Sequence, residues 1–159
     1  MHFIKTGLGE DYEASRLATM PKMKYLQFRL LTCPNNSSLA FSSSLQKKNI
    51  PLELFFIAGR GIYDNVILKD GIDGAQLAKA HQPGLSLSSC PIDFWIAWPN
   101  DTFLFGNGTL HKSELIQWPI KDLDILSVFL KSEDITEWQF YQNEGEKCFI
   151  SKVRKFPFL

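Results

Sequence analysis

The sequence predicts an all-β fold, an antiparallel two-sheet sandwich or jelly roll. Three observations predict it. Short runs of strand-forming residues recur along the 159-residue chain, with Gly, Pro, Asn and Asp clusters between them at the roughly 8–12-residue spacing of such folds. No stretch sustains a helical period. Hydrophobic residues make up 45% of the chain and aromatics 13%, which is enough to fill a core between two packed layers and argues against disorder.

Taken in order, residues 1–23 lack a period and are expected as an irregular lead-in to one sandwich domain over residues 24–159. Lys24 to Leu31 alternates, with Tyr25, Gln27 and Arg29 on one face and Leu26, Phe28 and Leu30 on the other, the mark of a half-buried strand. Cys33-Pro34-Asn35-Asn36 reads as a turn and Ser38 to Ser42 as a short strand. Leu52 to Ala58 reads as an interior strand, and Tyr63 to Lys69 as the next, with Gly59-Arg60-Gly61 between them. Asp70 to Gly74 is a turn. Ala75 to Ala80 holds good helix formers but is too short for a stable helix.

Phe94 to Trp98 and Thr102 to Phe105 flank Pro99-Asn100-Asp101, and Gly106-Asn107-Gly108 closes the second run, so a β-hairpin is expected at the centre of the core. His111 to Pro119 is mixed. Ile120 to Asp124 reads as a polar-apolar connector, while Asp122 and Asp124, alternating with Leu123 and Ile125, also read as the outer face of a strand. Ile125 to Lys131, Trp138 to Tyr141 and Cys148 to Val153 supply the closing strands.

Charge and cysteine content narrow the function classes. Lys plus Arg and Asp plus Glu both total 17, with no basic cluster, so there is no electrostatic footprint for nucleic acid or an anionic membrane. No apolar run approaches the roughly 18 residues of a membrane-spanning helix. The mixed, acidic N-terminus does not read as a signal peptide. Cys33, Cys90 and Cys148 permit at most one internal disulfide. Free buried thiols would suit a cytoplasmic protein. Four sequons, at Asn35, Asn36, Asn100 and Asn107, would serve as glycosylation acceptors in a secreted chain and tip the balance to an extracellular location.

Candidate chemistry is sparse. Leu52 to Gly61 runs an apolar strand into G-x-G, as in a Rossmann-type or S-adenosylmethionine loop. The third glycine is replaced by Asp64, and the following Ile62 to Leu68 is rich in β-formers, so a β-turn is expected. His111 and Glu114 lack a second ligand pair, so no metal site is expected. There is no G-x-S-x-G elbow. In the central hairpin Trp98 shares a face with Phe94 and Ile96, and Trp95 takes the opposite face. Core burial is the expectation for both tryptophans, and an exposed indole beside polar side chains would instead form a sugar platform.

The segment Tyr25–Phe140, about three-quarters of the chain, resembles the farnesoic acid O-methyltransferase-type domain family, a metazoan module. The likeness rests on Leu26-Gln27-Phe28-Arg29-Leu30 and Leu39 to Ser43, on Leu52 to Gly61 with Asn65 to Lys69, and on the hairpin residues Phe94-Trp95-Ile96-Ala97-Trp98 with Gly106-Asn107-Gly108. Trp118 and Trp138-Gln139-Phe140 extend it. The family name implies methyl transfer from S-adenosylmethionine to farnesoic acid. The residues favour a non-catalytic, cofactor-free recognition module, lectin-like, that binds a glycan or a protein partner through loops at the sandwich ends. Arg60, Tyr63, Asn65 and Trp118 are its candidate ligand-binding residues. A structural domain of a larger assembly is the remaining expectation, and exposed edge strands would allow oligomers.

Overall fold

The computed structural model describes residues 2–6, 16–18, 24–32, 36–44, 50–57, 64–80, 87, 90–132, 136–141 and 151–153. They form thirteen strands and no helix. In chain order these are β1 (His2–Thr6), β2 (Arg16–Ala18), β3 (Tyr25–Leu30), β4 (Ser37–Ser42), β5 (Leu52–Ile57), β6 (Asn65–Asp70), β7 (Gln76–Ala80), β8 (Ile92–Ala97), β9 (Thr102–Asn107), β10 (Glu114–Pro119), β11 (Ser127–Ser132), β12 (Thr136–Phe140) and β13 (Ser151–Val153).

Two sheets result: six strands in the order β1-β12-β3-β8-β9-β10, and seven in the order β13-β2-β11-β4-β5-β6-β7. Every recorded pairing is antiparallel. The β-sandwich expected from the sequence is therefore the architecture observed.

The period-two pattern decides which residues lie between the sheets. Leu26, Phe28 and Leu30 of β3 and Leu52, Leu54 and Phe56 of β5 have no exposed surface. Their strand neighbours Gln27, Arg29, Glu53 and Phe55 point outward and are half-buried. Phe28 sits at the centre of an aromatic cluster. Its ring centroid is 5.7 Å from Phe140, 5.8 Å from Phe94, and 6.1 Å from both Phe56 and Trp138, within the range of favourable ring pairs. A buried hydroxyl pair, Ser37 to Thr136 at 2.9 Å, links β4 to β12 across the two sheets.

The central hairpin is β8–β9. Asn100 and Asp101 have φ of 44° and 58°, and the Thr102 N–H donates to the Pro99 carbonyl at 3.1 Å. Two consecutive left-handed residues are what a tight hairpin turn requires, and Asn and Asp tolerate that conformation.

Several expectations are corrected. Within the supposed irregular lead-in, β1 pairs with β12 and β2 with β11, so both segments belong to the sandwich. Ala75–Ala80, set aside as too short for a stable helix, contains an unforeseen strand: β7 lies on the edge of the seven-stranded sheet and pairs with β6. Asp122 and Asp124 lie in the β10–β11 connection, not on a strand, and Asp122 is left-handed with φ 58°. The mixed His111–Pro119 stretch contains β10, with a register shift between Glu114 and Ile116. β9 continues through Gly106 to Asn107 before the chain turns.

Candidate functional site

Alternation and register together assemble a polar cluster on the outer face of the six-stranded sheet. β3 lies between β12 and β8, with Arg29 directly across from Asp93 on one side and from Gln139 on the other. The Arg29 guanidinium meets the Asp93 carboxylate in two parallel bonds, Nε to Oδ1 at 2.8 Å and Nη2 to Oδ2 at 3.1 Å. The Tyr141 hydroxyl, just past β12, donates to the same Oδ1 at 3.1 Å. The Arg29 Cζ is 6.0 Å from the Tyr141 ring centroid. Planar fork-to-carboxylate pairing of this kind fixes both groups in orientation as well as position.

The hydrogen bond from Arg29 lowers the Asp93 pKa, against an opposing contribution from burial. Burial, then the Asp93 hydrogen bond, raises that of Tyr141. Both shifts lead away from neutrality. They leave an ionised carboxylate and a neutral phenol, not an acid–base pair balanced near pH 7.

Beside this cluster is a cleft of about 210 Å³ lined by Gln27, Asp93, Phe94, Gly108, Thr109 and Tyr141. One wall is the strap between β9 and β10. It is held by the Gly108 N–H on the Asp93 carbonyl at 2.8 Å, the Lys112 N–H on the Thr109 carbonyl at 3.0 Å and the Asn107 N–H on the Ser113 carbonyl at 3.2 Å.

Trp95 is the strap's main anchor. Its Nε1–H donates to the Lys112 carbonyl at 2.7 Å, and the His111 ring centroid is 5.6 Å from its own. The indole lies across Gly106, where a Cβ would come within 2.5 Å of it. Trp95 is thus on the outer face, yet only 1% exposed. Trp98, on the inner face, is 2% exposed. Both indoles are buried, so neither forms an open platform.

The sequence-derived candidates fall elsewhere. Arg60 and Tyr63 lie outside the described residues. Asn65 opens β6, half-buried and across from Ile57, in the seven-stranded sheet. Its outer-face neighbours include Phe55, whose ring has the Lys69 Nζ 4.6 Å above it, and Glu53, directly across from Lys69. Trp118 is in the six-stranded sheet, half-buried and packed against the main core. The structure does not bring Asn65 and Trp118 together: they belong to different sheets.

The G-x-G segment also lies outside the described residues. It connects β5 to β6, which are antiparallel neighbours, and β6 is a strand where a dinucleotide-type fold would continue into a helix. Among the sequons, Asn36 and Asn100 are exposed with φ of 49° and 44°. Asn107 is half-buried in β9, and Asn35 is outside the described residues. No group of three metal-ligating side chains occurs among the described residues. No described helix is long and apolar enough to cross a membrane. Cys90 is disulfide-bonded.

Sequence reasoning missed Arg29, Asp93 and Tyr141 as a unit. The outward position of Arg29 was legible in its strand pattern. The partner was not, because 64 residues separate Arg29 from Asp93 and only the β3–β8 register joins them.

Comparison with known proteins fixes the fold type. No known family profile matches the sequence, and no curated protein is similar to it. Solved structures do match. Sheep galectin-11 in complex with glycerol superposes with a TM-score of 0.52 at 14% identity, over 79% of this chain and 96% of that one. Lactose- and MES-liganded congerin II superposes with a TM-score of 0.52 at 11% identity, over 88% and 100%. Xenopus laevis galectin-Ib gives 0.52 at 6% identity, over 88% and 100%. The sandwich is galectin-like in fold.

Proposed function

We propose that this protein is a non-catalytic, lectin-like recognition module whose ligand is a saccharide, held in the outer-face cleft between β3, β8 and the β9–β10 strap. The single observation that carries the reading is the cleft's construction. It sets a fixed, ionised carboxylate (Asp93), an amide (Gln27), a hydroxyl (Thr109) and a tyrosine edge (Tyr141) around one small space. Those groups match the alternating hydroxyls and apolar ring faces of a sugar. The volume is below the roughly 300 Å³ at which drug-sized sites begin, so the cleft suits one terminal sugar ring, with further residues of a glycan outside it.

Two further observations support the reading. Galectin-like solved structures include one bound to lactose. The Cys90 disulfide and the exposed sequons at Asn36 and Asn100 agree with an oxidising, extracellular setting. The reading requires no cofactor.

The test is a glycan array probed with the purified protein, followed by titration of the best glycan against two sets of variants. Asp93→Asn and Tyr141→Phe should each weaken binding about tenfold, the loss of one charge-assisted hydrogen bond, with the melting temperature little changed. Selective retention that is lost instead in Phe55→Ala and Asn65→Ala would keep the function and move the site to the seven-stranded sheet. An array with no retained glycan sinks the proposal.

A further inference from the structure

The opposite chemistry is found at one end of the sandwich, on residues that share none of the polar cleft's lining. There Ser43 and Pro51 on either side of the β4–β5 connection, Ile72 of the β6–β7 turn and Ile120 to Asp124 of the β10–β11 connection line an open pocket of about 230 Å³. Its apolar lining comes from Pro51, Ile72, Ile120 and Leu123. Ile120 and Leu123 also pack against the main core, so the pocket floor is firm. From the same observations we infer that this end docks a basic segment of a partner protein, which inserts one apolar side chain into the pocket.

Ile72 is the first sign. It is 87% exposed and is the exposed large hydrophobic residue among those described. It is not carried on a loose loop. Asp70 Oδ1 accepts the N–H of Ile72 at 2.7 Å and of Asp73 at 3.3 Å. The Gly74 N–H reaches the Asp70 carbonyl at 2.9 Å, and the Gly71 N–H reaches the Pro51 carbonyl at 3.0 Å. The Ala75 N–H donates to Asp73 Oδ1 at 2.8 Å. A side chain on Gly71 would run into the Ile50 carbonyl oxygen, so the turn sits flush against the β4–β5 connection. The turn is thus braced, with an apolar side chain at its tip beside an apolar pocket. Fixing an exposed hydrophobic group in advance lowers the ordering cost of binding.

Charge selects the occupant. Asp122 and Asp124 line the pocket, and Asp70 and Asp73 bracket Ile72. Asp101 joins the rim by accepting the Asp122 N–H at 3.0 Å. Lys121 is the lysine of the lining. A second copy of this chain would bring one acidic rim against another, which disfavours self-association. A partner carrying Lys or Arg on either side of an apolar residue complements both the pocket and its rim. The volume fits a single side chain, which calls for a peptide-like segment and not a broad folded face.

The experiment is selection of a random-peptide phage library on the full chain, then titration of the enriched peptide by fluorescence anisotropy. The expected consensus is one Leu, Ile, Met or Phe flanked by Lys or Arg. Ile72→Ser, and separately the pair Asp122→Asn with Asp124→Asn, should each weaken binding about tenfold, and the affinity should fall as salt rises. Asp93→Asn should leave it unchanged, which separates this site from the saccharide cleft. Three outcomes overturn the inference: no enriched consensus, a consensus without basic residues, or a consensus peptide indifferent to both rim and Ile72 variants. A dimer in sedimentation that Ile72→Ser dissolves would overturn it too, by assigning the patch to a second copy.

Discussion

The two clefts have nearly the same volume, about 210 and 230 Å³, and almost nothing else in common. The first lies on a sheet face, and two of its polar groups, Gln27 and Asp93, are borne by strands whose inward neighbours form the core, with Thr109 on the strap and Tyr141 just past β12. Gln27 and Arg29 flank Phe28, and Asp93 precedes Phe94. The second lies at the end of the sandwich and is made of turns. The difference teaches that a strand-borne site inherits its geometry from the core and the register. A turn-borne site touches the core only through its floor, here Ile120 and Leu123, and is otherwise held by local hydrogen bonds. Damage to the interior should therefore reach the first cleft and spare much of the second.

The largest expected effect tests that coupling directly. Phe28→Ala removes a ring with no exposed surface that contacts four other aromatic rings. Chemical unfolding should show a loss of about 3–5 kcal/mol. At temperatures where the variant is still folded, glycan affinity should drop while the Ile72 site still binds its peptide. Equal losses at both sites would break the comparison.

Next in size is Gly106→Val. Its side chain would take the space of the Trp95 indole, and such overpacking costs about 1–3 kcal/mol. The indole must move, the Trp95–Lys112 bond must lengthen, and the strap wall of the polar cleft shifts with it. Trp95 fluorescence should change on this substitution, and glycan binding should weaken. A variant with wild-type stability and an unchanged spectrum would mean that the strap is held by its own backbone bonds alone.

How much of this was legible before the structure follows the same division. The sandwich was legible because period-two alternation at β3 and the runs of strand-formers at β5 and β6 depend only on neighbouring residues. The hairpin β8–β9 was legible because Pro99-Asn100-Asp101 separates two runs of strand-formers. β7 was missed because the good helix formers of Gln76–Ala80 give no strand signal, whereas the strand is imposed by pairing with β6. The connector over Ile120–Asp124 was legible, but Asp122 and Asp124 were misplaced on a strand face because alternation with Leu123 and Ile125 imitates a strand. The Arg29–Asp93–Tyr141 cluster was hidden because residues of β3, of β8 and just past β12 meet only through sheet order. The burial of Trp95 was half-legible: its outward face was given by alternation, but the strap over it was not.

A smaller effect comes from pH. The Asp93 pKa is lowered in the folded chain, so the folded state binds fewer protons there than the unfolded chain. Its contribution to stability is complete above the ordinary carboxylate value of about 4 and is lost as pH falls through the depressed one. The Tyr141 pKa is raised, so its contribution is complete below about 10 and is lost as pH rises through the higher value. The shares of Asp93 and Tyr141 in the melting temperature should both be flat between these limits. Asp93→Asn should remove its share of the acid limb and leave the alkaline limb in place. The side chains of the Arg29–Asp93 pair are 37% and 39% exposed, so solvent screening keeps this change modest.

The smallest effect on stability is also the sharpest use of the comparison. Ile72→Ser changes a side chain that is 87% exposed and leaves the backbone bonds of its turn intact. Its unfolding free energy should stay within about 0.5 kcal/mol of the original, the usual range for surface substitutions. Peptide binding at the sandwich end should nevertheless fall, because the exposed isoleucine contributes to recognition and not to folding. Differential scanning calorimetry beside the peptide titration separates the two quantities. A destabilisation of several kcal/mol would show that Ile72 supports the β6–β7 turn from outside, and the end pocket would then be part of the fold's own closure.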